Sequence, residues 1–304
     1  MNPILVGEAA AVLTSVLWTT CSILFASAGE RIGVFPLNAL RIGTALLTAA
    51  VVHLIVFGSI VPTATLPQWK YMALSGVMGL ALGDFGYLGA LVLIGPRKGV
   101  LLMSMAPIFS TISAYFILGE ALGLWAIIGI TVTLSGVIIV VMERGKKSRE
   151  VVSSKKEILG IILGIGGSVG QGVGLVISKY GMLVVESTAL NPLSATLIRM
   201  MAAMVVVWIV VFIVKKPFDV LKSYRDIRAV AYTVSGAISG PFLGMWLSMV
   251  AVTYAMTGVA STLMSLMPVM IIPVVWVLYG EKTSLWGVFG AIIAVVGVAI
   301  LFMN

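Results

Sequence analysis

Asp84 is the acidic residue whose position is least typical of a solvent-exposed side chain. It lies well inside an apolar stretch of the chain, and Tyr87 follows it on the same helical face, three residues further on. An ionised carboxylate at membrane depth costs about 2.5–3.5 kcal/mol unless it faces a cavity or a partner. Facing a cavity, Asp84 could bind the amine of a substrate or carry a proton. Paired with Arg41 or a nearby lysine, it would be structural, and the sequence leaves both roles open.

Gln171 and Trp18 are two further candidates for a cavity. Gln171 is an amide on a helical face that otherwise consists of small residues, so it needs a hydrogen-bond partner. It corresponds roughly to Trp18 in the first half of the chain. Trp246 adds another aromatic ring to this set. Such rings suit apolar or aromatic solutes, but they are equally typical of the membrane interface.

Two serine and proline pairs recur at matching positions. Ser104 precedes Pro107 by three residues, and Ser265 precedes Pro268 by the same spacing. A proline inside a helix leaves a carbonyl one turn earlier without its hydrogen bond. We therefore predict a bend at Pro107 and at Pro268, where each serine could bond a freed backbone group or a ligand.

Arg41 and Arg199 also occupy matching positions, about two turns into apolar stretches. Because both halves of the chain carry this arginine, we predict a shared structural role rather than substrate binding. Each side chain would snorkel to the interface or bond carbonyls at a helix end. We likewise expect Lys179 to snorkel and Glu120 to cap the helix that follows it.

The chain offers little for enzymatic or metal chemistry. One cysteine and one histidine exclude an intramolecular disulfide and a histidine-rich metal site, and no cofactor is expected. The segment 81–84, Ala-Leu-Gly-Asp, approaches the Gly-x-Gly-Asp pattern of intramembrane aspartyl proteases. A catalytic dyad needs a second carboxylate at depth, whereas Asp219 and Asp226 belong to a loop. We therefore predict that the protein is not an enzyme.

The composition places these residues in a membrane. Of 304 residues, 60% are hydrophobic and 10% are charged, whereas a soluble chain has about 25% charged residues. The net charge of +8 is explained by basic loops against anionic headgroups, so we expect no nucleic-acid partner. Apolar runs of about 20 residues, enough to cross about 30 Å of hydrocarbon, predict ten helices: 4–27, 35–57, 69–93, 98–118, 122–142, 158–180, 190–214, 228–254, 258–279 and 283–303.

The second half of the chain repeats the first. A block that begins at Met103 recurs without a gap 161 positions later, beginning at Met264. Its serine, its proline, its Gly-Glu pair, its tryptophan and two of its glycines keep their places. We therefore predict two five-helix repeats, 1–142 and 158–304, joined by a basic linker, 143–157. An odd number of helices per repeat inverts the second copy, which is a geometry used for alternating access.

This duplicated block resembles the EamA domain of the drug/metabolite transporter superfamily. The resemblance covers almost the whole chain and includes an arginine that opens the second helix of each half, in Leu40-Arg41 and Ile198-Arg199. It implies a basket-like bundle of ten helices, with a central cavity lined by helices 1–4 and 6–9 and with helices 5 and 10 outside. It also implies alternating-access movement of a small organic solute without ATP. The residues that carry it are Pro107, Gly119, Glu120, Gly129 and Gly136, and then Pro268, Gly280, Glu281, Gly290 and Gly297.

The orientation in the membrane stays open. The positive-inside rule favours both termini outside, because the connections on the opposite side carry 15 of the 19 lysines and arginines. The family resemblance implies cytoplasmic termini instead.

We predict an all-α integral membrane protein that moves a small organic metabolite, such as an amino acid or a drug-like solute, by export. Its partners would be the solute, membrane lipid and protons as a candidate coupling ion. We expect it to act as a monomer in the cell (plasma) membrane. A lipid-carrier flippase or a channel shares the architecture and remains an alternative.

Overall fold

The computed structural model describes residues 2–143, 154–213, 224–270 and 285–302, together with Phe218, Val220 and Lys222. All regular structure in these residues is helical, and seven of the helices are long and apolar enough to cross a membrane. The protein has the all-helical, ten-helix membrane fold that its sequence predicted. In the described parts of the chain the helices are, in order, α1 (Pro3–Ile32), α2 (Val34–Phe57), α3 (Leu66–Ser75, continuing through Gly76–Gly83 into the first part of the helical segment Asp84–Met103), α4 (the last part of that segment, followed by Ala106–Leu118), α5 (Leu124–Glu143), α6 (Ser154–Leu183), α7 (Pro192–Ile213), α8 (Ile227–Tyr254), α9 (Thr257–Met270) and α10 (Leu285–Phe302).

Helix α6 begins at Ser154, four residues before the predicted start of the second repeat. Most of the predicted linker, residues 144–153, lies outside the described residues, as does the Gly-Glu corner at 280–281. Several other helix ends carry the signals expected of them. Gly58 and Gly119 end α2 and α4 in the left-handed conformation, and Thr65 opens α3 with a capping box.

The connection between α3 and α4 lies inside a segment that is helical throughout, Asp84–Met103. A methyl group placed on Gly164 would lie 3.2 Å from the Ala90 Cβ and 3.1 Å from the Leu102 Cβ. Residues twelve positions apart in one straight helix are about 18 Å apart. The chain therefore reverses between Ala90 and Leu102. The connection predicted between the third and fourth helices, after residue 93 and before residue 98, therefore belongs to a helical stretch in which the chain reverses.

Helices α4 and α9 are each interrupted just before the proline where a bend was predicted. A two-residue turn at Ser104–Met105 separates Met103 from the helix Ala106–Leu118, so Pro107 lies in a first turn, where its missing N–H costs little. In α9 the turn falls at 265–266, two residues before Pro268. The structure thus has short breaks ahead of the prolines.

A π-helical segment interrupts α3 and α8 at equivalent places. The segments are Gly76–Gly83 and Ile238–Gly244, and both end at positions related by the 161-residue shift. Asp84 is the first residue after one, and Met245 is the first residue after the other. Such segments are rare and occur frequently at functional sites.

Helices α5 and α10 show that the two repeats are inverted. A Cβ on Gly129 would contact Gly297, and a Cβ on Gly136 would contact Gly290. Gly290 and Gly297 are the repeat equivalents of Gly129 and Gly136. The contacts therefore cross over, as a pseudo-two-fold axis requires, and the two helices run antiparallel.

The halves interlock around the centre of the bundle. Helix α3 of the first half packs on α6 of the second, and α8 of the second half packs on α1 of the first. Helices α2 and α7 also meet across the halves, where His53 Nε2 lies 2.9 Å from Ser194 Oγ. Side chains on α2, α3, α6 and α7 that point inward consequently converge where the repeats meet.

Candidate functional site

Asp84 and Arg41 form an ion pair inside the membrane-spanning bundle. Arg41 Nη2 lies 2.5 Å from Asp84 Oδ2, and the two side chains are 19% and 20% exposed. Arg41 Nε also donates to Asn38 Oδ1 at 2.7 Å, and its guanidinium lies 5.8 Å from the centre of the Phe25 ring. The π-helical segment brings the carboxylate to this point, because Asp84 follows it directly. The structural pairing considered in the sequence analysis is therefore present.

Gln171 supplies the second contact to the same carboxylate. Its Nε2 donates to Asp84 Oδ1 at 2.8 Å, so each carboxylate oxygen accepts from a different half of the chain. The approach is close because Gly83 faces α6, and a Cβ there would lie 3.2 Å from Gln171 Cγ. The partner that the sequence required for this amide is Asp84.

Arg199 borders this cluster from α7 but pairs with no carboxylate among the residues that the structure describes. Its side chain is buried, and its Nη1 lies 3.0 Å from the sulfur of Met249. Its Nε is buried and has no hydrogen-bond partner among the described residues. A Cβ on Gly79 would lie 3.3 Å from Arg199 Nη2 and 3.7 Å from Gln171 Oε1. Both polar groups therefore pack against the same glycine.

Neither arginine takes the position that the sequence analysis expected. Arg199 is 2% exposed and does not reach the interface, so it does not snorkel. The partners of Arg41 are side chains, Asp84 and Asn38, rather than helix-end carbonyls. The reason is that α2 and α7 pack against each other across the halves, and Arg199 on α7 is enclosed by this packing.

The aromatic candidates lie around this centre without hydrogen bonds to it among the described residues. Trp18 packs against the π-helical segment of α8, where its ring faces Gly240 and Gly244. Trp246 lies two residues beyond that segment, with its ring 6.0 Å from that of Phe242. Tyr87 is half-buried one turn beyond Asp84.

The two serines lie at the interruptions of α4 and α9. Ser265 Oγ donates to the Thr262 carbonyl at 2.7 Å, so its hydroxyl is used within its own helix. Ser104 is buried at the corresponding break. Among the described residues, Asp84 accepts hydrogen bonds from Arg41 and Gln171 and not from Ser265.

The sequence comparisons decide the family. The profile of the EamA-like transporter family matches residues 5–142 and 158–303, which is one copy for each half and nearly the whole chain. The chain belongs to the EamA-like transporter family. Members of this family are membrane transporters. No curated protein sequence matches this one closely enough to be called a relative.

A solved structure, titled only "Crystal structure of protein", has the same fold as this EamA-like chain. The two are 17% identical, with a TM-score of 0.78 over 98% of this chain and 96% of the other. At that identity the likeness shows the fold alone. The ten-helix arrangement of this EamA-like protein therefore has a solved counterpart.

A second charged cluster of this EamA-like protein was missed by the sequence analysis. Lys179 Nζ lies 2.6 Å from Glu120 Oε1 and donates to the Ala255 carbonyl at 2.7 Å. Glu120 Oε2 accepts the backbone N–H of Thr257 at 2.7 Å. Glu120 thus caps α9 of the other half, not the helix that follows it in sequence, and Lys179 is paired rather than snorkelling.

Glu8 adds a carboxylate beside this cluster. It lies in the second turn of α1, is buried, and lines a cavity of about 280 Å³ together with Lys179 and Tyr254. The signal for Glu8 was present in the sequence, as an acid inside the first apolar run. Among the described residues, no three His, Cys, Asp or Glu side chains are grouped so as to hold a metal ion.

Proposed function

We propose that this EamA-like protein is a secondary transporter that exports a small organic metabolite across the plasma membrane by alternating access. The solute class is that of amino acids or drug-like compounds, and the working unit is the monomer. The observation that carries the proposal is the cluster of Asp84, Arg41 and Gln171, which is shared between the two inverted repeats. Carriers built from such repeats hold their substrate where the halves meet.

The composition of the cluster suits a group that changes partners during transport. Asp84 belongs to the first half and is held by Arg41 of that half and by Gln171 of the second. If the halves rock against each other, the bond from Gln171 must break or re-form, while the pair with Arg41 moves as one body. Access to the solute and the bonding state of Asp84 are then linked.

Protons are the coupling ion that this arrangement favours. A protonated Asp84 would lose the charge that holds Arg41 and would free one of its oxygens from an acceptor role. The ammonium group of a solute could replace the proton in the same place. Either event weakens the link between α3 and α6, and exchange of the two would couple solute movement to a pH gradient.

Solute flux into proteoliposomes tests the proposal. Purified protein is reconstituted, and uptake of a broad metabolite panel is measured with and without an imposed pH gradient. We expect saturable uptake with counterflow, which a channel does not show, and we expect the gradient to accelerate it. Absence of flux across the panel would contradict the transporter proposal, and movement of headgroup-labelled lipid instead would favour a flippase.

The role of Asp84 is tested by Asp84→Asn, with Glu186→Gln as the matched control. Glu186 lies in the connection between α6 and α7, where it accepts from Thr65 Oγ1 at 3.1 Å. The first variant should lose the response to the pH gradient, because the amide cannot take up a proton. The second should keep it. A gradient response that survives in Asp84→Asn would exclude Asp84 as the proton carrier.

A further inference from the structure

Arg199 is a buried cation whose Nε donor is unused among the described residues. A guanidinium has five N–H donors, yet the acceptor that it meets here is the Met249 thioether, at 3.0 Å from Nη1. Thioether sulfur is a weak acceptor, and Nε has no hydrogen-bond partner in the described parts of the chain. The side chain is only 2% exposed, so bulk solvent does not reach it. A buried charge in this state is costly unless an anion pairs with it.

The equivalent arginine of the first half shows what is missing. Arg41 has an acid, Asp84, directly after the π-helical segment, and an amide oxygen from Asn38 three residues before it. Around Arg199 these places are taken by Met245 and Thr196. The Thr196 hydroxyl is engaged within its own helix, where it donates to the Pro192 carbonyl at 2.8 Å. The second half therefore keeps the cation and lacks both of its acceptors.

The charge of the central cluster is unbalanced for the same reason. Arg41, Arg199 and Asp84 are two cations and one anion, which leaves a net charge of +1 at the interface of the halves. Both oxygens of Asp84 already accept, from Arg41 and from Gln171. The acid of the first half therefore cannot complete the bonding of Arg199 without giving up a partner.

We propose that Arg199 binds the carboxylate of the transported solute, which is therefore a carboxylic acid or an amino acid rather than a simple amine. This inference rests on the proposed function and names its substrate class. The planar guanidinium can hold a carboxylate with two parallel hydrogen bonds. Arg199 is enclosed in this structure, so the solute reaches it when α3 and α7 separate at Gly76, whose backbone packs directly on that of Arg199.

Ligand binding by the purified full-length protein tests the assignment. The probes are four carboxylates, each with its own carboxamide: L-leucine, L-phenylalanine, succinate and benzoate. We expect at least one carboxylate to raise the unfolding midpoint by about 2 °C or more, because a ligand of the folded state stabilises it. Its carboxamide should leave the midpoint unchanged. A panel in which no carboxylate acts, or in which carboxamides act equally, overturns the inference.

Arg199→Gln should weaken carboxylate binding about tenfold or more, because it removes a charged hydrogen-bond donor. Arg199→Lys should restore part of the affinity, since it keeps the charge. The matched control is Arg31→Gln, which removes an exposed arginine paired with Asp226, and it should bind as the wild type does. Equal affinity in Arg199→Gln and the wild type would overturn the inference.

Met245→Asp is a second variant that tests the site without removing Arg199, in case Arg199→Gln fails to fold. This change adds an acid at the position equivalent to Asp84, where it can pair with Arg199 within the protein. We expect the unfolding midpoint to rise or hold and carboxylate binding to fall. Carboxylate binding that persists at full strength in Met245→Asp contradicts the assignment.

Flux measurements separate this inference from the proposed function. If the wild type binds carboxylates through Arg199 but moves no solute in proteoliposomes, the proposed transport function is wrong and the proposed carboxylate site is supported. If it moves amines or neutral solutes and ignores carboxylates, transport stands and the assignment of Arg199 is wrong.

Discussion

The carboxylate of Glu120, at the corner after α4, accepts the backbone N–H of Thr257 at the start of α9, with 2.7 Å between the two heavy atoms. The same carboxylate holds Lys179 at 2.6 Å. One side chain of the first half therefore both caps a helix of the second half and neutralises a cation there. This cluster ties the repeats together near the end of the bundle at which α1 begins.

Replacing Glu120 by Ala should destabilise the protein by about 1–3 kcal/mol. The change removes a helix cap and leaves Lys179 buried without its carboxylate. The measurement is thermal unfolding of the purified protein in detergent. Glu186→Gln is the control, because it alters an acid in a connection and should leave the midpoint within a degree or so of the wild type. An unchanged midpoint in Glu120→Ala would show that the cluster does not hold the halves together.

The ion pair of Asp84 and Arg41 should behave as a unit. Asp84→Asn and Arg41→Gln should each cost about 3 kcal/mol, because each leaves a mostly buried charge without its partner. The double variant should cost clearly less than the sum of the two, since it removes both charges. Unfolding midpoints of the four proteins give the coupling. Additive effects would mean that the pair contributes no mutual stabilisation.

Gly136 should not tolerate a side chain. A Cβ at this position would come within 2.8 Å of the Ala294 Cα and closer still to its backbone N, on α10. We expect Gly136→Ala to cost about 1–3 kcal/mol through overpacking. Gly166→Ala is a matched control, because no atom of the described residues lies within 4 Å of a Cβ there. That variant should be neutral or stabilised by up to about 1 kcal/mol. Similar midpoints for the two variants would refute the close contact of α5 and α10.

The Asp226 carboxylate should make stability depend on pH in the acid range. Its pKa lies below the ordinary value of 3.8, first because it accepts the Ala229 backbone N–H and then because it pairs with Arg31. A lowered folded-state pKa gives stability that is present above the unfolded-state pKa and is lost as the pH falls through the folded-state value. The midpoint difference between the wild type and Asp226→Asn should therefore shrink as the pH is lowered below 3.8. A difference that stays constant across that range would contradict the cap.

The sequence reveals the architecture because hydrophobic length and internal repetition are local properties of the chain. The ten helices and the inversion of the repeats follow from them. The pairing of Asp84 with Arg41 was one of two predictions for this buried acid, the other being a side chain that faces a cavity. Gln171 was identified as an amide in need of a partner, although nothing in the sequence named Asp84 as that partner.

The remaining contacts depend on how the two halves pack, which no local pattern encodes. Glu120 and Thr257 are 137 residues apart, and the cap forms only because α4 of one repeat ends beside the start of α9 of the other. The acceptor next to Arg199 is a methionine, whose sulfur carries no recognisable signal as a partner for a cation. Glu8 was visible in the sequence, but its cavity arises from helix ends that are distant along the chain.

The π-helical segments of α3 and α8 carry a mechanical consequence. A π-helical segment accommodates one extra residue compared with an α-helix. If the segment changed to α-helical geometry, the helix beyond it would rotate by about 100° about its axis, the angle that one residue spans. In α3 such a twist would swing Asp84 away from both of its donors while Leu66–Ser75 stayed still. In α8 the same twist would carry Met245 and Met249 past Arg199. In each repeat, a change in the π-helical segment would therefore rotate the residue that follows it, Asp84 in the first half and Met245 in the second, relative to the arginine of that half.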